Sequence, residues 1–280
     1  MTPDPIVNLP YFDGLLEQID RGNAEALQAF GRHVHWGYWD DPAKADGSIA
    51  GFVAATEALC QRVCDAGQIG GGSRVLDCGC GFGGTIASLN ERFSQMQLVG
   101  LNIDDRQLAR ARTEVQAQRD NTIAFVQGDA CQLPFADGSF DVVLAVECIF
   151  HFPSRLRFFQ EARRVLRSGG KLALCDFVPL SITLPLLKLM DQFAKSAIER
   201  TYGPVNSQVT IADYRTLATT AGFSPISTED ITRNTLPTYP LIRQLMRQTG
   251  TTEMEQVTQG GEWVSRLGLS RYLILAYEVC

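Results

Sequence analysis

The chain of 280 residues carries a formal net charge of −6, with 45% hydrophobic and 20% charged residues. That length holds one large α/β domain with a lid or a small insertion, and it leaves no room for two independent domains of ordinary size. The acidic balance offers no basic footprint for a phosphate backbone, so nucleic acid is excluded as an expected partner, and no apolar run reaches the ~20 residues that span a bilayer.

Residues 1–70 read as helical, with Phe52, Leu59 and Val63 at helical spacing, and are expected to form an N-terminal cap over the ligand side of the fold. The opening MTPDPIVNLP lacks the basic region and apolar core of a secretory leader, so a soluble, cytoplasmic chain with reduced thiols is expected. Within the cap, HVHWGYW at 33–39 gathers Trp36, Tyr38 and Trp39, whose faces would attract a cation, beside His33 and His35, which read as structural. The eight cysteines do not suggest a metal. Cys60 and Cys64 are one helical turn apart, Cys78 and Cys80 alternate with glycines, and no histidine stands near either pair to complete a zinc set.

From residue 73 strands and helices alternate. SRVLD, QLVGLNI, IAFVQGD, FDVVLAVE and KLALCDF read as strands, with helices starting near Gly83, Asp105 and Pro153, which predicts a doubly wound, mostly parallel sheet. Gly169 and Gly170 are expected to end the third of these helices. Its arginines at 155, 157, 163, 164 and 167 read as a solvated face. Beyond Pro179 the rhythm breaks. Residues 180–210 and 236–267 read as insertions, separated by a helix over TIADYRTLATTAGF, with Thr210 or Asp213 near its start and Gly222 at its end, and by a strand at SPISTEDI. SRYLILAYEV reads as the last strand.

The most informative stretch is VLDCGCGFGG at 75–84, where an apolar strand ends in Asp77 and turns through Gly79, Gly81, Gly83 and Gly84 into a helix. Such a turn lets the backbone approach a ligand at a helix amino terminus. The G-x-G-x-x-G spacing fits a dinucleotide as well as S-adenosylmethionine. Asp77 favours the latter, because a carboxylate repels a pyrophosphate and attracts an amino group.

Four segments in order, VLDCGCGFGG, LVGLNIDD at 98–105, GDACQLPFADGSFDVVLAVE at 128–147 and LRSGGKLALCDF at 166–177, resemble the motifs of class I S-adenosylmethionine-dependent methyltransferases. The resemblance implies a seven-stranded Rossmann-like core over 71–280 whose last strand is antiparallel, with both insertions forming a substrate lid. It places Asp77 and Gly79, with Gly81, at the methionine part of the cofactor. Asn102 stands where an acid usually takes the ribose hydroxyls, and a neutral amide there loses charge-assisted strength. Asp104 and Asp105 read as a helix start. Asp129, in GDA with Ala130, would receive the adenine amino group. The aromatic cluster around Tyr38 would close over the sulfonium.

Methyl transfer to a hydroxyl gains from a base. His151, just past the fourth strand in ECIFHFP, is the candidate, and Asp176, ending the fifth strand, its expected partner. The pair resembles that of bacterial sugar and macrolide O-methyltransferases, including the rebeccamycin type. Glu147 is counted with the cofactor residues, or as an acceptor-binding carboxylate if His151 only packs and caps. The expected activity is therefore O-methylation of a hydrophobic small molecule in natural-product biosynthesis. N- or C-methylation of an amine or prenylated acceptor, and a silent cofactor-binding subunit, are the alternatives.

Overall fold

The computed structural model describes residues 9–249 and 252–280. Most of the MTPDPIVNLP stretch and two positions of the second expected insertion lie outside the described residues. Helices α1 (Pro10–Asp20), α2 (Ala24–Phe30) and α3 (Ile49–Ala66) precede the sheet. There follow β1 (Arg74–Cys78), α4 (Gly84–Arg92), β2 (Gln97–Asn102), α5 (Asp105–Glu114), β3 (Thr122–Gln127), β4 (Phe140–Val146), α6 (Arg155–Val165) and β5 (Leu166–Pro179). The chain continues through α7 (Leu184–Tyr202), α8 (Ile211–Ala221), β6 (Phe223–Asp230), α9 (Thr232–Thr235), α10 (Thr238–Thr249), α11 (Thr252–Arg266) and β7 (Ser270–Val279).

The seven strands lie in the order β3-β2-β1-β4-β5-β7-β6, with β7 antiparallel to both of its neighbours. Adjacent residues of the central strands serve opposite faces, as the two-residue period of a strand requires. Val143 and Leu174 pack with Phe158, Phe159 and Tyr214 of α6 and α8, while Val142, Leu144 and Ala173 pack with Leu59, Val63 and Ile86 of α3 and α4. The order reverses between β1 and β4, so the carboxyl ends of these strands open a crevice for a ligand.

Three local expectations need correction. Helix α3 is a layer of the core, because its buried Leu59 and Val63 lie against Val75 and Val142; only the segments before it reach the ligand crevice. Helix α6 ends at Val165, and Gly169 and Gly170 fall inside β5, which starts at Leu166 opposite Phe140. Arg155 is buried, so the arginine face is not wholly solvated. Helix α8 follows its signals closely: Thr210 and Asp213 form a reciprocal capping box, and Gly222 adopts the left-handed conformation that ends it. Residues 180–210 fold mainly as α7, against which α1 and α11 pack. Among the described residues no helix is long and apolar enough to cross a membrane.

Candidate active site

The glycine turn is shaped by its neighbours as much as by any ligand. At Gly79, with φ +75°, a Cβ would lie 2.8 Å from the Cβ and Sγ of Cys148. A Cβ on Gly84 would lie 2.4 Å from the carbonyl oxygen of Arg32, so this glycine is needed for contact with the N-terminal segment. The amides of Gly79 and Cys80 both donate to the carbonyl of Leu101, at 2.8 and 3.1 Å. These two amides are therefore not free to cradle a pyrophosphate, which counts against the dinucleotide reading.

Asp77 is buried at the end of β1, and neither carboxylate oxygen has a hydrogen-bond partner among the described residues. Burial pushes its pKa up to about 7, an effect that the neighbouring Thr85 hydroxyl offsets only in part. A buried carboxyl with unused acceptors is costly unless a partner arrives.

Gly79, Gly81, Asn102, Asp129, Ala130 and Glu147 line one cavity together with His151, whereas Asp77 does not line it. Asn102 is already engaged. Its Nδ2 donates to Gln107 Oε1 at 2.9 Å, and its Oδ1 accepts the Asp104 amide at 3.2 Å. Gln107, a cavity residue with no motif to mark it, is left with a buried Nε2 that has no acceptor among the described residues. Asp104 caps α5, and Asp129 Oδ1 accepts the Cys131 amide at 2.7 Å.

Glu147 sits in the left-handed region at φ +52°, an uncommon conformation for a residue with a side chain. Its Oε2 accepts the Trp36 amide at 2.9 Å and the hydroxyl of Tyr272 on β7, tying three separate parts of the chain together. Burial is the main cause that pushes its carboxyl up to about 8.

The aromatic cluster is mostly packing. Tyr38 does not line the cavity: its amide is pinned to the carbonyl of Ala55 on α3 at 2.8 Å, and its ring lies under the Arg62 guanidinium, 4.4 Å away. Trp36 packs edge-on to Phe177 and Tyr239, and Trp39 stacks on Phe52. The aromatic side chains that line the cavity from the N-terminal segment are instead Tyr11 and Phe12 of α1. His33 and His35 also line it, joined by a 3.1 Å contact between His35 Nε2 and His33 Nδ1, with His33 Nε2 2.9 Å from Glu57. The open volume is about 140 Å³, below the roughly 300–1,000 Å³ of small-molecule sites. Ligand entry therefore requires a wall to give way.

His151 and Asp176 are not partners. His151 Nδ1 lies 3.2 Å from the Pro204 carbonyl, and Nε2 lies 3.2 Å from the Tyr11 hydroxyl. A carbonyl only accepts, so Nδ1 carries the proton. Burial lowers the pKa to about 4, so the ring is neutral and Nε2 accepts from Tyr11. Asp176 is wholly buried and takes Arg155 Nη2 at 2.7 Å and the Tyr214 hydroxyl at 2.5 Å. The physical reason is plain: a buried carboxylate is compensated far better by a guanidinium than by a neutral imidazole.

This geometry has counterparts. Residues 76–174 match the methyltransferase domain family. The chain is 33% identical to Methyltransferase GfsG of Streptomyces halstedii over 80% of its length and 77% of that relative's. It is 34% identical to 27-O-demethylrifamycin SV methyltransferase of Amycolatopsis mediterranei, over 76% of this chain and 74% of the relative. The fold matches geranyl diphosphate C-methyltransferase of Streptomyces coelicolor, solved with Mg²⁺, geranyl diphosphate and S-adenosyl-L-homocysteine, with a TM-score of 0.70 at 18% identity, covering 95% of this chain and 98% of that one. The chain belongs to the class I S-adenosylmethionine-dependent methyltransferases. Its cofactor is S-adenosylmethionine. Among the described residues, Gln107 Nε2 on the cavity wall has no acceptor and fits a ligand with acceptor oxygens, while the Asp77 carboxyl, likewise without a hydrogen-bond partner, lies off that wall and suits a cationic amino group by its charge.

Proposed function

We propose that this methyltransferase acts on a hydroxyl of a hydrophobic small molecule in natural-product biosynthesis, with His151 as general base. The observation that carries the reading is the tautomer of His151: with Nδ1–H held by the Pro204 carbonyl, the lone pair of Nε2 faces a hydroxyl on the cavity wall. An acceptor hydroxyl that replaces the Tyr11 hydroxyl would find the same lone pair. The name of the Amycolatopsis relative, a 27-O-demethylrifamycin SV methyltransferase, supports the natural-product setting.

In this reading Asp77 and the Gly79–Gly81 turn hold the methionine part of the cofactor, the Asn102–Gln107 pair meets the ribose, and Asp129 with Ala130 meets the adenine amino group. Asn102 acts jointly with Gln107, because its own two polar ends are largely used. When bound, the cofactor supplies an electrophilic methyl group. His151 takes the acceptor proton at Nε2, and α1 with its Tyr11 and Phe12 excludes water from the cavity. Glu147 acts as a tie between segments.

The test is His151→Ala. Turnover should fall by roughly 10²- to 10⁴-fold with cofactor affinity unchanged, the range for loss of a general base. Near-normal turnover on the true acceptor would sink the base and favour N-methylation, in which a neutral amine attacks by alignment alone, or C-methylation with another group taking the proton. One observation favours that second reading: burial leaves His151 a weaker base than a free histidine.

A further inference from the structure

We infer that Arg155 and Asp176 are positioning residues that set the tautomer of His151 by clasping the 204–206 segment, whose Pro204 carbonyl receives the Nδ1 proton. The inference rests on the reading of His151 as the base. The links are short and continuous. Arg155 Nη2 donates both to Asp176 Oδ2 at 2.7 Å and to the carbonyl of Asn206 at 2.8 Å. The Asn206 amide donates to the carbonyl of Phe150 at 2.9 Å. The segment is thus held by backbone on one side and by a guanidinium on the other, two residues from the carbonyl that faces His151.

Arg155 is in turn fixed from behind. Tyr214 on α8 donates to the same Asp176 oxygen at 2.5 Å, and Arg155 Nε reaches the Tyr214 hydroxyl at 3.2 Å. A charge pair buried this deeply is weak evidence for stability, since its desolvation can exceed its Coulombic gain. Arg155 Nη1 even remains buried without an acceptor among the described residues. The cluster does, however, determine where the Asn206 carbonyl lies.

The consequence for the ring is specific. In a neutral imidazole the hydrogen bond made by one nitrogen decides which nitrogen is left as base. If the Pro204 carbonyl drifts, nothing keeps the proton on Nδ1, and the Nε2–H form turns a donor towards the acceptor hydroxyl. Asp176 then matters to the reaction without touching the imidazole.

The experiment reads the tautomer directly by ¹⁵N NMR of the full chain, which has three histidines; the spectrum of His151→Ala assigns the signal. Asp176→Asn is the obvious variant. Because it can misfold by leaving a buried guanidinium uncompensated, Arg155→Met combined with Asp176→Leu removes both charges and keeps the volume apolar. Wild type should show a protonated Nδ1 and a bare Nε2 near neutral pH. The folded double variant should show proton density moving to Nε2, with kcat lowered on the order of 10²-fold, the cost of a small misplacement, and cofactor affinity unchanged. An unaltered His151 tautomer in that variant overturns the inference. A shifted tautomer supports it even if His151→Ala keeps full turnover, in which case the base reading alone fails.

Discussion

The hydroxyl of Tyr11 donates to Nε2 of His151 across 3.2 Å, so a residue of the first helix stands where an acceptor hydroxyl would have to come. The two rings stack with centroids 5.8 Å apart, and Tyr202 of α7 meets Tyr11 edge-on at 5.7 Å. Helix α1 and helix α7 therefore share one closing contact over the site.

Tyr11→Phe removes the donor and keeps the stack. Stability should fall by about 1 kcal/mol, the net value of one hydrogen bond, as read by urea denaturation. If the Tyr11 hydroxyl only competes with the acceptor, the acceptor KM should fall or hold while kcat is retained. A kcat loss as large as that of His151→Ala would instead show that Tyr11 carries the proton to the imidazole.

Asp77 couples cofactor binding to proton release. In the ligand-free protein burial holds it near a pKa of about 7, and a cation placed beside it favours the ionised form. Calorimetry in buffers of different ionisation enthalpy should register close to one proton released on binding at about pH 6 and almost none at about pH 8.5. Asp77→Asn should abolish the difference. It should also weaken binding by about 1.5–3 kcal/mol, the scale of a hydrogen bond to a charged group. Equal proton release in wild type and variant would remove Asp77 from the cofactor site.

Glu147 predicts a stability that falls as pH rises. Its pKa rises from 4.5 to about 8 on folding. Its contribution is thus fully present below the unfolded pKa of about 4.5 and is lost as pH rises through about 8. Glu147→Gln keeps a carbonyl for the Trp36 amide and the Tyr272 hydroxyl, so it should match wild type within about 1 kcal/mol at about pH 4.5 and exceed it increasingly as pH rises to about 8. Denaturant midpoints across that range decide the matter; a parallel decline in the variant would assign the loss to another group.

The acidic limb of the kcat profile should lie well below the ~6.5 of a free histidine, since burial lowers His151 to about 4 and its two ring nitrogens meet the Pro204 carbonyl and the Tyr11 hydroxyl. Acid should thus silence the enzyme only below about pH 5, as the imidazole takes up a proton at Nε2. A limb at or above 6.5 would place an anion beside the ring, as the His151–Asp176 dyad expected from the sequence requires.

Much of the fold was legible because its signals are local. Continuous apolar runs mark the inner strands, the glycines mark the turn after Asp77, and Thr210, Asp213 and Gly222 mark both ends of one helix. The cavity residues Asn102, Asp129, Ala130 and Glu147 were legible too, since a strand order that reverses beside β1 brings strand ends together. Partner choice was not. That Asp176 turns to Arg155 depends on a buried charge finding the strongest available counter-ion, and that His151 meets Pro204 depends on where a long insertion returns to the sheet. Tyr38 failed for a backbone reason, its amide being pinned to α3. Tyr11 lies in a helix whose sequence carries no sign of what it covers, and Gln107 is one polar residue on an amphipathic helix.

The position of β7 bears on how the protein is made. It follows β6 in the chain yet lies between β5 and β6 in the sheet, and its Tyr272 anchors Glu147. While β7 is still within the ribosome, β5 has a bare antiparallel edge, β6 has no partner strand, and Glu147 lacks one of its two donors. Unpaired strand edges of this kind invite pairing with other chains. The emerging polypeptide is consequently sticky until β7 slots in, and a chain cut short before residue 270 would be a client for chaperones and proteases.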